Sequence, residues 1–367
     1  MTNKTIVVAG GGTAGHVYPT LAVVAELFRI APESKIAFIG QTGGPEQSII
    51  AEAKLTQPME YIHITAEKFR RYWSFRVFIM PIAVLRGAFQ ALGHLRRLRP
   101  AVVFCKGGYV CIPVALAAWW LRIPIILHET DASMGLANRL IAPFAMRIAV
   151  SFPRPTFLTE KTDHKIVFTG QPVRPEFFVS PPNRSTNVSR PVVMVTGSMQ
   201  GARAINQLVQ ETLPQLLERY RIIHITGPND FQALRSSSQS QYYEPVPYTA
   251  KFCDLLVQAD LVVSRAGGTI FELAALGKPS ILIPLPSAAN DHQRHNAAMF
   301  AEQGAAVVLE ETTLTGEQLV QTIGDLIRDS KRRALLSKNV RQFARKDAAT
   351  HLAKLILEIG EQGKAVE

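Results

Sequence analysis

Two stretches of this chain place glycines where a backbone must come close to something. Residues 6–16 read Ile-Val-Val-Ala-Gly-Gly-Gly-Thr-Ala-Gly-His, and residues 192–202 read Val-Val-Met-Val-Thr-Gly-Ser-Met-Gln-Gly-Ala. Each is an apolar run, a glycine turn and the start of a helical pattern. Such a turn aims main-chain N–H groups and the positive end of a helix at a ligand, which suits phosphate. Two of them, one in each half, predict two α/β domains facing one nucleotide-type ligand. His16, at the lip of the first turn, adds a proton acceptor. A helix N-terminus disfavours the imidazolium, so a neutral His16 can serve as general base near neutral pH.

Other polar clusters end apolar runs in the same way. In the first half these are Lys106-Gly107-Gly108-Tyr109 and His128-Glu129-Thr130-Asp131, the latter followed by Gly135-x-x-Asn138-Arg139. Open α/β sheets bind ligands at the carboxyl ends of their strands. Glu129 and Asp131 together read as a site, whereas Tyr109 or Asn138 alone is equally well a capping or packing residue. In the second half, Ser264-Arg265-Ala266-Gly267-Gly268-Thr269-Ile270-Phe271-Glu272 is a strand, a glycine turn and a helix start. Glu272 falls on the first helical turn, where a carboxylate can accept from two ribose hydroxyls or simply favour the helix dipole. Asp291-His292-Gln293-x-x-Asn296-Ala297 follows a further strand. Arg174, in Gly170-Gln171-Pro172-Val173-Arg174, is placed to meet a phosphate, whose oxygens match a guanidinium.

Gly10-x-Gly12-x-x-Gly15 also fits the dinucleotide fingerprint. That fingerprint needs an acidic residue at the end of the second strand to hold the ribose, and Phe38-Ile39-Gly40-Gln41-Thr42 has none. A nicotinamide enzyme is therefore disfavoured.

The elements that must position these groups alternate regularly. Strands are expected at 4–9, 35–39, 60–64, 101–105, 124–128 and 147–151, with helices at 19–30, 46–54, 76–98 and 109–121. The Pro-, Ser- and Asn-rich segment 176–191 reads as a linker. Alternation restarts with strands near 192–196, 221–226, 260–264, 279–283 and 305–308 and helices at 201–218, 268–276, 291–302 and 316–328. Residues 331–363 read as helical. This is an α/β chain with two doubly wound, Rossmann-like domains and a cleft between them. The expected boundaries are 1–175 for the first domain and 192–344 for the second, with a terminal helix over 345–363 packing back on the first.

A chain of 367 residues suffices for two cores. Cys105, Cys111 and Cys253 are odd in number and form no C-x-x-C pair, which argues for a reducing compartment and against zinc. No Asp-x-Asp metal motif occurs. The chain enters its first strand by Ile6, so no signal peptide is expected. Val110–Leu127 is long and apolar, but Arg122 and two prolines within it favour a helix followed by a buried strand over a membrane span. Residues 1–175 carry 20 Lys/Arg against 10 Asp/Glu, and residues 176–367 carry 20 against 19, so nearly all of the +11 net charge lies in the first half. That asymmetry calls for a polyanionic partner. In Lys68–Met80 cations alternate with aromatic and aliphatic residues, as at a membrane interface; nucleic acid is the lesser alternative, with no recognised motif beside it.

The ordered set Gly-Gly-Thr-x-Gly-His, Gly-Gly-Tyr-Val, His-Glu-x-x, Gly-x-Pro-Val-Arg, Ser-Arg-Ala-Gly and Asp-His-Gln-x-x-Asn-Ala resembles the MurG family of glycosyltransferases over about residues 5–350. The resemblance implies the two-domain GT-B fold and UDP-N-acetylglucosamine as donor. It implies undecaprenyl-diphosphate-linked muramyl pentapeptide as acceptor, attachment to the inner face of the cytoplasmic membrane, and no cofactor. It places Thr13, Ala14 and Gly15 beside His16, with Gly12, Tyr109 and Asn138 on the acceptor side. Arg174 would contact the diphosphate. Thr249 and Phe252 fall where the family holds uracil. Gly268, Thr269, Ile270, Phe271 and Glu272 would hold diphosphate and ribose, and Gln293 the sugar. This chain departs from the pattern in several places. Met199 stands at the usual phosphate-binding serine, with Ser198 one place early. Thr130 and Asp131 replace a Gln-Asn pair, so an acid faces the sugar instead of an amide. Gln171 replaces the usual asparagine.

The mechanism this implies is a single displacement with inversion at the anomeric carbon. His16 or a neighbouring carboxylate, Glu129 or Asp131, takes the proton of the attacking hydroxyl. A transferase acting on another lipid shares this donor half. A non-catalytic sugar-nucleotide-binding subunit is the alternative of another class, favoured by Met199 and opposed by His16.

Overall fold

The computed structural model describes residues 4–11, 14–53, 55–67, 76–157, 160–178, 190–198, 200–237, 239–249 and 251–362. The chain divides into two compact units, residues 1–174 with 345–367 and residues 175–344.

The first unit holds strands β1 (Thr5–Ala9), β2 (Lys35–Gln41), β3 (Glu60–Ile64), β4 (Val102–Cys105), β5 (Ile125–Glu129), β6 (Arg147–Val150) and β7 (Ile166–Phe168). Its helices are α1 (Ala14–Ile30), α2 (Pro45–Glu52), α3 (Arg76–Leu98), α4 (Cys111–Trp120), α5 (Leu136–Ile141) and α6 (Glu160–Asp163). The sheet order is β3-β2-β1-β4-β5-β6-β7, and every pairing is parallel. The central strands are apolar throughout because both faces are covered. Side chains alternate across the sheet: Val7, Ala9, Val103 and Cys105 pack with Ala91, Leu95, Val114 and Ala118 of α3 and α4. Ile6, Val8 and Phe104 pack on the other face with Val23 and Leu27 of α1.

The second unit holds β8 (Val192–Thr196), β9 (Arg221–Ile225), β10 (Tyr243–Val246), β11 (Leu261–Ser264), β12 (Ser280–Leu282) and β13 (Val307–Val308). Its helices are α7 (Arg203–Arg219), α8 (Phe231–Ser236), α9 (Phe252–Gln258), α10 (Thr269–Leu276), α11 (His292–Glu302), α12 (Gly316–Arg328) and α13 (Ser330–Val340). The order β10-β9-β8-β11-β12-β13 is again wholly parallel. In both sheets the order in which strands are added reverses beside the first strand, between β1 and β4 and between β8 and β11. That is where an open α/β sheet opens a crevice at its carboxyl edge.

The final helix, α14 (Ala348–Gln362), belongs to the first unit. Its Leu352, Ala353, Ile356 and Ile359 are buried in the cluster that holds α1, and Thr350 Oγ1 donates to Glu26 of α1 at 2.6 Å. The helical segment expected over 331–363 consists of two helices, α13 and α14. Asp329 caps α13 by accepting from Arg332 N at 2.8 Å, and a turn at Arg341–Phe343 follows. Within Val110–Leu127, α4 is a ten-residue helix and β5 a buried strand. Among the described residues no helix is long and apolar enough to cross a membrane. Lys68–Ser74 lies within 68–75, outside the described residues, and only the backbone of 76–81 is described.

Candidate active site

In the first unit three turns converge on the crevice. Lys106 N donates to Ala9 O at 2.9 Å, tying the turn after β4 to the end of β1. Gly108 has φ +87°, and a Cβ on it would lie 2.5 Å from Gly11 O. Only glycine allows that approach. The His16 ring, on the first turn of α1, lies against the same turn: its Cε1 is 3.5 Å from the place a Gly107 Cβ would take. Asn138 Oδ1, from α5, is 3.3 Å from that place. His16 and Asn138 therefore flank Gly107.

Glu129 closes β5 and is buried. Its carboxylate accepts from Asp131 N and Gly135 N, each at 3.0 Å, and from Asn138 Nδ2 at 2.7 Å. Burial pushes its pKa up to about 7, the charge of Asp131 pushes the same way, and the three donors pull back. His128 Nε2 donates to Gly170 O at 3.2 Å; burial, aided by the charge of Lys106, holds its pKa well below the usual range, so it stays neutral. Arg174 lies over the Tyr18 ring, 4.8 Å from its centroid, beside the first turns of α1. Gly12 and Thr13 lie outside the described residues. Ala14 and Gly15 open α1.

Glu46 and Gln41 join this site, and Glu46 has no part in the motifs above. Glu46 is fully buried and accepts from Gln41 N at 2.7 Å. A Cβ on Gly11 would lie 2.6 Å from its Oε1. The Gln41 side chain accepts from Tyr109 OH, and its carbonyl accepts from Tyr61 OH at 3.1 Å. Tyr109 is thus held across the strands by Gln41. The available signal was a glutamate directly after Gly43-Gly44-Pro45, where β2 ends.

In the second unit the turns after β8 and β9 interlock. Gly201, at φ +75°, packs on Thr226 O, and Gly227, at φ +77°, on Gln200 O. Ser198 is exposed with φ +65°, a conformation that costs a non-glycine residue about 1 kcal/mol, and its N–H donates to Thr196 Oγ1 at 3.0 Å. Met199 lies outside the described residues. Gly268 caps α10, which begins at Thr269 and carries Glu272 in its first turn. Ile270 and Phe271 are buried, Phe271 edge-on to Phe300, and their N–H groups bond Gly267 O and Gly268 O. Their side chains therefore build the helix seat together with buried Thr269, and the groups of this turn open to solvent come from Gly267, Gly268 and Glu272. Asn296 Nδ2 holds Ala266 O at 2.9 Å. Arg265 is buried, pairs with Glu311 and donates to Ile283 O at 3.1 Å. Gln293 Oε1 accepts from Leu285 N at 3.0 Å, and its Nε2 is 3.8 Å from where a Gly267 Cβ would be. Thr249 Oγ1 accepts from Lys251 N at 3.0 Å. Phe252 starts α9 with its ring buried.

The first unit thus gathers proton acceptors at its carboxyl edge, and the second presents N–H groups and a helix N-terminus suited to a diphosphate. Residues 6–150 match the glycosyltransferase family 28 N-terminal domain, and residues 192–352 match its C-terminal domain. The chain belongs to glycosyltransferase family 28. A Clostridium novyi (strain NT) relative is 37% identical over 341 residues, covering 90% of this chain and 93% of its own. A Desulforamulus reducens relative is 35% identical over 369 residues, covering 96% and 98%. Both carry the name UDP-N-acetylglucosamine–N-acetylmuramyl-(pentapeptide) pyrophosphoryl-undecaprenol N-acetylglucosamine transferase. The crystal structure of Acinetobacter baumannii MurG superposes with TM-score 0.75 at 25% identity, covering 97% of this chain and 99% of that one. A UDP-GlcNAc 2-epimerase from Neisseria meningitidis shares the fold, with TM-score 0.67 at 15% identity. Fold alone does not separate transferase from epimerase; the family 28 match does.

Proposed function

We propose that this family 28 enzyme transfers N-acetylglucosamine from UDP-N-acetylglucosamine to the muramyl 4-hydroxyl of undecaprenyl-diphosphate-linked muramyl pentapeptide. The observation that carries the reading is the meeting of His16 and Asn138 at the Gly107-Gly108 turn, with Asn138 bonded to Glu129 behind it. The names of the Clostridium and Desulforamulus relatives support both substrates.

The second unit takes the donor. Ser198, Met199 and the turn to Ala202, with Gly268 and Thr269, meet the diphosphate through N–H groups. Glu272 accepts from the ribose hydroxyls, Gln293 contacts the sugar, and Thr249 and Phe252 border the uracil. In the first unit Gly12, Tyr109 and Asn138 hold the acceptor, with Thr13, Ala14 and Gly15 beside the reacting groups. The hydroxyl attacks the anomeric carbon from the face opposite the leaving UDP, so the new bond forms as the old one breaks and configuration inverts. His16 or Glu129 takes the hydroxyl proton. Arg174 meets the charge that develops on the departing diphosphate. Asp131 stands close to the sugar.

We infer that the first unit sits on an anionic membrane at its cytoplasmic face. Ile82, Leu85 and Phe89 form one exposed stripe on α3, and α4, which packs against α3, ends in exposed Trp119 and Trp120. Arg86 on α3, Arg122 in the turn after α4 and Arg139 on α5 are exposed. Apolar anchors ringed by cations suit a lipid surface.

The test is transfer of radiolabelled sugar from UDP-N-acetylglucosamine to a short-chain analogue of the lipid acceptor by the purified protein. Efficient transfer, with UDP-glucose much poorer, supports the reading. Donor binding without transfer points to another lipid acceptor or to a partner-dependent subunit.

A further inference from the structure

Lys106 follows β4 directly and is fully buried. An ammonium has only donors and is rarely buried without partners. Its Nζ donates to Thr130 Oγ1 at 2.5 Å. Thr130 stands between Glu129 and Asp131, so this bond ties the end of β4 to the turn that carries both acids. The titratable groups facing Lys106 are Glu129 at the end of β5, Asp131 just after it, Cys111 on α4 and His128 on β5, which also faces His16 of α1. Burial lowers the Lys106 pKa to about 8, while the two acids hold it up. Without that cation, the buried Glu129 would stand beside the half-buried Asp131 with no counter-charge, and a neighbouring like charge resists ionisation of a buried carboxylate.

We propose that Lys106 is a positioning residue of the acceptor site: its buried ammonium, hydrogen-bonded to Thr130, is the counter-charge that steadies the Glu129 carboxylate beside Asp131 on one turn. The inference rests on the reading of Glu129 as a site carboxylate. It also gives a physical reason for the acid at Asp131, where relatives in the MurG pattern carry an amide. The acid and the lysine form one charge-balanced pair, and a neutral residue at 131 would not call for a buried cation at 106.

The test is a double-mutant cycle on the full chain with K106M, D131N and K106M/D131N, read by sugar transfer across pH and by urea unfolding. K106M in the wild-type background is expected to lower kcat/KM for the acceptor roughly 100-fold, to leave KM for the donor unchanged and to move the acid limb of the pH profile upward, because a lost cation makes Glu129 harder to ionise. In the D131N background the same change is expected to cost roughly threefold or less. An equal cost in both backgrounds, or an unmoved acid limb, overturns the proposal. Should K106M not fold, recovery of folding in K106M/D131N supports it, and failure of both overturns it. Wild-type transfer is measured first. If the wild type transfers nothing, the lipid acceptor reading falls, and the Lys106–Asp131 pair is judged on the unfolding cycle, where additivity refutes it.

Discussion

Asn138 donates Nδ2 to Glu129 Oε2 at 2.7 Å, and that bond directs both side chains. With its nitrogen on the carboxylate, the amide turns Oδ1 towards Gly107, where this buried oxygen accepts from no donor among the described residues. An acceptor kept dry and unmatched in a ligand crevice is a place for a substrate hydroxyl. Asn138→Asp would put a second carboxylate against Glu129. It should reduce kcat/KM for the acceptor roughly 100-fold, with donor KM retained. Steady-state kinetics with each substrate varied in turn checks this; a loss confined to donor KM would count against it.

The elevated pKa of Glu129 has a kinetic signature. Burial and the neighbouring Asp131 raise it to about 7, so the carboxylate form is gained only as pH rises through neutrality. If Glu129 must be ionised, kcat/KM climbs through pH 7 and levels above it. Glu129→Gln should remove that limb and lower kcat about 10³-fold. A profile with the same limb in the glutamine variant would assign the titration to another group.

His16 is tested by separating binding from turnover. His16→Ala should leave UDP-N-acetylglucosamine affinity near normal and lower kcat by roughly 10²- to 10⁴-fold if the imidazole takes the proton. Isothermal titration of the donor beside single-turnover transfer gives both values. Near-normal turnover rejects His16 as base.

Gly108 sits with positive φ against Gly11 O. Gly108→Ala adds backbone strain and a clash between the two turns, and should destabilise the first unit by about 1–3 kcal/mol. Thermal unfolding measures the loss. An unchanged transition would show that the turns can separate freely.

The second unit carries a pH-dependent element away from the ligand turns. His224 Nδ1 accepts from Tyr243 OH at 3.1 Å, and Nε2 donates to Asn206 Oδ1 at 3.0 Å. Burial drives its pKa down to about 4 against the pull of Asp230. Below the ordinary histidine value the unfolded chain binds a proton here that the folded chain refuses until about pH 4. Stability from this group is therefore complete above about 6.5 and falls as pH drops towards 4, by about 3 kcal/mol in all. His224→Gln should flatten that part of the stability curve in urea titrations at successive pH values. An equally steep decline in the variant would place the effect elsewhere.

The strands and glycine turns were legible because they are local. Continuous apolar runs ending in glycine mark buried parallel strands, and β1, β4, β8 and β11 lie where those runs predict. Short edge strands were not: β7 and β10 are partly exposed and lack a clean apolar run. In the candidate site, His16 and Glu129 stood out by type and spacing, whereas Asn138 alone read equally well as a capping or packing residue. Glu46 did not stand out, since its role depends on lying across the strand order from Gly11. Nor could the burial of Ile270 and Phe271 be read from motifs, because which face of α10 packs inward is settled by the neighbouring Phe300 and the sheet.

The first unit is discontinuous in sequence: residues 1–174 are completed by α14, which begins 174 positions later at Ala348. During synthesis the apolar side of α1 must wait for Leu352, Ile356 and Ile359 until the whole second unit has been translated. The second unit, contiguous from 175 to 344, can close as it emerges. Vectorial folding therefore runs against gene order, and the nascent first half is the part most in need of chaperone cover.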